Sequence, residues 1–166
     1  MIGEPQARDL DLLDLETALL RAAVGDYAVE AAVLLLANSA HWLPRLQDAG
    51  LIAIALDGDT DGGPWAAVQW GDLDRALRTG ALSGSGGQLR LLRVAAGLAD
   101  GQPVDLADVT AGVDRQELTL VLAALAHAAG SHEHTDVPGP EVRRPDHGSA
   151  AAQRLLGPVV AWPVRE

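Results

Sequence analysis

Residues 78–93 read RTGALSGSGGQLRLLR: a glycine–serine loop, the start of a helix, and arginines on either side. Residue types in this order can bind an anion. Backbone amides at a helix start point at negative charge, and guanidinium groups hold carboxylate or phosphate oxygens through paired hydrogen bonds. Arg75, Arg78, Arg90 and Arg93 lie in a stretch, from Arg75 to Ala99, that contains no acid. If the helices flanking the loop fold back across it, these arginines and the amides of Ser85, Gly86 and Gly87 converge on one anion. The loop is not a lysine-type phosphate loop, because the chain has no lysine, and SGSGGQ lacks the G-x-G-x-x-G spacing of a dinucleotide fingerprint. A structural reading fits the same residues. Ser85 and Gln88 have the S-x-x-Q spacing of a capping box, and the arginines are then solvated or paired with Asp72, Asp74 or other acids.

Other clusters carry less. DGDTDGG (57–63) places Asp57, Asp59 and Asp61 as hard oxygen ligands before Gly62, like the first half of a calcium loop. Its twelfth position is Val68 where a bidentate glutamate is needed, so an acidic hairpin tip accounts for it better. HAAGSHEHTD offers His127, His132, Glu133, His134 and Asp136, but no standard zinc spacing. It reads as a solvated, pH-sensitive linker. Residues 103–129 have the rhythm of a helix–turn–helix, yet the second helix is almost wholly apolar where a recognition helix displays polar and basic groups. The chain has no cysteine and no G-x-S-x-G stretch, and its serines fall in loops and caps, so nothing marks an enzyme and nothing calls for a cofactor. Trp162, in PVVAWPV, marks a docking segment for the domain itself or for a partner.

The elements that must position these residues follow from periodicity. Residues 1–8 read as a loose N-terminus. DLDLLDLETALLRAAVG carries leucines at helical spacing, and after Asp26 the run YAVEAAVLLLANSAHWL is apolar almost all round, which predicts a central helix ending near Trp42, before Pro44. LIAIAL and WAAVQW flank the Asp/Gly cluster and predict a β-hairpin over 51–70, with Trp42, Trp65 and Trp70 capping the core around it. Helices are predicted from Asp72 to Thr79, from Gly86 to Ala99, around LADVTAG, and from Arg115 to Ala129. Residues 131–148 are polar and rich in Pro and Gly, a linker. Residues 149–166 form a tail with a short helix in SAAAQRLLG. The expected fold is α+β: a mostly helical bundle over 9–130, one attached β-hairpin and a flexible C-terminal tail.

The chain has 166 residues, 23 acids against 12 basic residues and a net charge of −11. That charge repels nucleic acid and anionic lipid. No apolar run approaches the roughly 18 residues of a membrane span, and MIGEPQARDLDLLD lacks the layout of a secretory signal, so the expected location is the cytoplasm. All basic residues being arginine, with Asn38 the single asparagine, reflects a GC-rich genome. The stretch SGSGGQLRLLRVAAGLA with PVDLADVTAG resembles a set of small uncharacterised actinobacterial proteins, over about the middle half of the chain. That resemblance implies a bacterial cytoplasm and carries no site. The functional expectation is a small acidic interaction or regulatory protein whose partner is another protein or itself, its apolar helices suiting a homodimer. The alternatives are an anion- or nucleotide-responsive module at the arginine-flanked loop and a helix–turn–helix-like regulator on DNA.

Overall fold

The computed structural model describes residues 6–55, 63–136 and 154–165. Its helices are α1 (Leu12–Ala23), α2 (Tyr27–Asn38), α3 (Trp42–Asp48), α4 (Leu73–Thr79), α5 (Gly86–Asp100), α6 (Leu106–Gly112) and α7 (Arg115–Ala128). Strands β1 (Ile52–Ala55) and β2 (Trp65–Val68) pair antiparallel, with Ile52 opposite Val68 and Ala55 opposite Trp65. The mostly helical α+β fold with one hairpin is therefore present. A second, two-residue ladder joins β3 (Thr135–Asp136) to β4 (Arg154–Leu155).

Helix starts are set by short polar side chains. The Asp11 carboxylate accepts from the Asp14 amide, and Asp26 accepts from Ala28 and Val29. Ser85–Gln88 and Asp114–Glu117 are complete capping boxes, each satisfying two orphan amides. Gly130, with φ of 70°, takes the left-handed position that follows α7, a conformation that costs glycine nothing.

The predicted central helix is α2. Ala31, Ala32, Val33, Leu35 and Leu36 are buried, and α2 packs most extensively on α5 and α7. Its end differs from expectation. α2 stops at Asn38, Ala40 turns the chain with φ of 54°, and Pro44 sits in the first turn of α3. A proline's missing N–H costs nothing in a first turn, where no carbonyl precedes it to be bonded. This turn swings Trp42 inward, where it is wholly buried and donates its indole N–H to the Gln88 carbonyl at 2.7 Å. Trp65, by contrast, is exposed on the outer face of the hairpin and does not cap the core.

The described parts of the N- and C-terminal segments are more ordered than composition implies. Ala7–Asp9 forms a 3-10 turn held by Gln47, whose side-chain amide donates to the carbonyls of Ala7 and Leu10 at 2.7 and 2.8 Å. After α7, Ser131–Glu133 forms another 3-10 turn, with Ser131 buried. The helix expected in SAAAQRLLG is absent from its described end: Arg154–Leu155 is extended because its backbone pairs with Thr135–Asp136. No helix among the described residues is long and apolar enough to cross a membrane.

Candidate interaction surface

The arginine-flanked loop is the first place to look for a site, and its side chains disperse. Arg75 bonds Asp72 on its own side of the loop at 2.7 Å. Arg93, on α5, reaches back to Asp74 of α4 at 2.7 Å. Arg90 turns the other way. Its Nε donates to the Asp108 carbonyl at 2.9 Å and its Nη2 to the Asp108 carboxylate at 2.6 Å, while the guanidinium lies against Gly112 so closely that a Cβ there would overlap it. Arg78 is exposed on the last turn of α4. The four guanidinium groups are thus not gathered around one point.

The glycines of the loop lie against side chains both near and far in sequence. A Cβ on Gly84 would press on the Trp42 ring at 3.1 Å, and one on Gly86 would meet Arg90 at 2.9 Å. Gly87 is covered by the Glu117 carboxylate, whose other contact is the Asp114 amide at 2.9 Å. A carboxylate therefore does stand at the start of α5, as the helix dipole favours, and it belongs to α7. Loop, α5, α6 and α7 are clasped together through these charges.

Asp57, Asp59 and Asp61 lie outside the described residues. Among the described residues, no group of three or more His, Asp or Glu is placed to hold a metal ion. The histidines read as a solvated linker divide. His134 is exposed, but His127 and His132 stack on one another with ring centres 4.3 Å apart, enclosed by Tyr27 and Trp162. His127 Nε2 meets the Glu30 carboxylate at 3.1 Å. A hydrogen bond to Glu133 raises the Tyr27 phenol above its ordinary value, with burial and the charges of Glu133 and Glu30 adding to it.

Trp162 packs against this cluster because the C-terminal segment runs along α7 in the opposite direction to the helix. Val159 N–H donates to Ser131 Oγ near the end of α7, and Pro163, Val164 and Arg165 lie beside Gln116 and Leu120 near its start. Arg165 ends the run on Glu16 of α1, with Nη1 and Nη2 each 2.6 Å from a carboxylate oxygen, and donates from Nε to Asn38 at 3.1 Å. Glu16 is 8% exposed, so the guanidinium neutralises a nearly buried charge; the Glu16 hydrogen bond in turn raises the Arg165 pKa.

Among the described residues, nothing covers the opposite side of α7. Leu118, Leu122 and Leu125 are 39%, 45% and 44% exposed. Spaced four and three residues apart, they form one row on the helix surface, which the exposed Ala129 continues. At 3.6 residues per turn this row lies close to opposite the one formed by Gln116, Leu120 and His127. From Leu118 to Ala129 there is no acidic residue, in a chain of 23 acids. The nearly unbroken apolar run of α7 suits a core or an interface, and which of its leucines face outward depends on what α2, α5 and the tail cover. No protein-family model, no curated protein and no solved structure matches this chain.

Proposed function

We propose that the protein is a small acidic interaction protein of a bacterial cytoplasm, without catalytic chemistry of its own, and that it works as a homodimer joined along the bare row of α7. The observation that carries this reading is the row itself: Leu118, Leu122 and Leu125, half exposed on a helix face without an acid. Two chains of net charge −11 repel one another over most of their surfaces. Only a face free of acids lets them approach, and an apolar row is self-complementary across a two-fold axis. The internal pairing of Arg75, Arg90 and Arg93 supports a structural role for the glycine–serine loop.

Sedimentation equilibrium tests the proposal. The wild type is expected at twice the mass of one chain, and Leu122→Arg at the mass of one chain with an unchanged helical spectrum. A wild type that is monomeric at every concentration overturns it.

A further inference from the structure

Aromatic rings and carboxylates meet where the C-terminal segment crosses the end of α7. The His127 and His132 rings stack almost parallel, at 14° and with centres 4.3 Å apart, and Tyr27 stands edge-on to His132 at 4.9 Å. His127 Nε2 lies 3.1 Å from Glu30 Oε2, with the two side chains 16% and 22% exposed. The Tyr27 hydroxyl is bonded to Glu133. Arg21 of α1 lines a crevice with Glu30, but its guanidinium donates to the Pro64 carbonyl at 2.7 Å. Among the described residues, the titratable groups facing the two imidazoles are therefore Tyr27 and Glu30 from α2 and Glu133 from the turn after α7. The segment brings only uncharged side chains here, since its Arg165 is held by Glu16.

The segment closes this cluster at two points. The Val159 amide donates to Ser131 Oγ, beside His132 in the chain, and the Trp162 ring lies 6.2 Å from that of His127. His132 Nδ1 and Trp162 Nε1 are both buried without a hydrogen-bond partner. A neutral imidazole loses little by this, because one of its nitrogens carries only a lone pair. An imidazolium loses more: both nitrogens donate, and a buried charged donor without an acceptor is costly. One proton on the pair has a place, on His127 against Glu30. A second must go to His132, beside a ring that is already charged, and like charges this close oppose one another. When the segment leaves, water reaches His132 Nδ1 and the rings are free to part.

We propose that the stacked His127–His132 pair is a proton-operated latch on the C-terminal segment: residues 158–165 stay docked while the pair carries at most one proton and are released when it carries two. Imidazole ordinarily changes charge between about pH 5 and 8, so release falls on the acid side of neutrality. Because the released state takes up the second proton more readily, docking is complete at higher pH and weakens as pH falls. One coupled proton weakens it by at most about tenfold per pH unit. Release uncovers the side of α7 around Leu120 and the Glu16 carboxylate, both closed to other molecules while the segment is docked.

Indole resonances of the full chain read the latch. The protein has 4 tryptophans, so an isotope-labelled sample gives one indole N–H signal for each, and Trp162→Phe identifies the one from the segment. From about pH 8 to about pH 5, the Trp162 signal is expected to move to the position of a solvated indole while those of Trp42, Trp65 and Trp70 stay. In His132→Phe, which keeps a ring in the stack and takes up no proton, the Trp162 signal is expected to remain at its docked position over the same range. A wild-type signal that does not move, or that moves alike in His132→Phe, overturns the latch. An acid release that survives in His132→Phe but disappears in Glu16→Gln belongs to the Arg165 pair and overturns it too. If His132→Phe does not fold, the wild type decides by itself: the His132 ring protons and the Trp162 indole are expected to change with one midpoint, and separate midpoints overturn the proposal.

Discussion

One side of α7, around Leu120 and His127, is roofed by the chain's own C-terminal segment, with Gln116 at its open edge, while the other, Leu118, Leu122, Leu125 and Ala129, meets solvent. The roofed side carries glutamine and histidine and the bare side only leucine and alanine, the reverse of what burial by hydrophobic periodicity would assign. Beside the roofed row the His127 ring meets the Glu30 carboxylate, and Glu16 pairs with Arg165. Such pairing offsets the desolvation of charged groups taken partly out of water. The bare row has no charge that needs satisfying and no acid to repel another molecule. The roofed side is tied to other elements through polar partners, whereas the bare side carries nothing that opposes contact with another molecule.

The comparison predicts unequal costs for equal changes. Leu120→Ala is expected to lower stability in urea by about 2–5 kcal/mol, the range for truncating a buried leucine. Leu122→Ala, measured in monomeric protein, is expected to change it by less than ~0.5 kcal/mol, as at an ordinary surface site. Equal costs would break the distinction between the two sides. Next comes the roof. Trp162→Ala is expected to cost about 2 kcal/mol, since the indole is only partly buried, and removal of residues 158–166 more than that. A truncated chain as stable as the full one would show that the segment contributes nothing in place. Arg165→Ala ranks lower, at about 1 kcal/mol, because half of the arginine side chain is in water and the pair is screened. Glu16→Gln in the Arg165→Ala background is expected to recover part of that loss, by removing the charge left behind; no recovery would mean that Glu16 does not depend on the tail.

The smallest effect concerns pH. Hydrogen bonding to Glu133 raises the Tyr27 phenol in the folded state above its unfolded value of 10.0. The stability this provides is complete below pH 10 and is lost as pH rises through the higher, folded value. The stability curve of Tyr27→Phe is therefore expected to be flatter than that of the wild type in alkaline solution. Parallel curves would remove Glu133 from the account of the histidine cluster.

Much of the scaffold can be read locally. The capping boxes at Ser85–Gln88 and Asp114–Glu117 join residues three apart, and the apolar circumference of α2 announces its central place. What cannot be read locally is each contact made across the fold. Pro44 ends a helix or begins one according to where the preceding residues turn, and Ala40, in the left-handed region, makes it begin α3. Gly84 and Gly87 suggest a cradle for an anion, whereas their neighbours are Trp42 and Glu117. Glu16 looks like one more surface acid of α1 until the tail arrives with Arg165. The same docking encloses His127 and His132, which polar composition alone places in water.

The central claim is that two copies meet along the bare row of α7, and the most direct measurement is a single-site oxidation. Leu122→Cys introduces one thiol at the middle of the row, and Val24→Cys introduces one at a site that is 78% exposed, elsewhere on the surface, just beyond the end of α1. Under mild oxidation at the same protein concentration, the account predicts a disulfide-linked dimer from Leu122→Cys and almost none from Val24→Cys. A Leu122→Cys chain that stays unlinked, or links no faster than Val24→Cys, would contradict it.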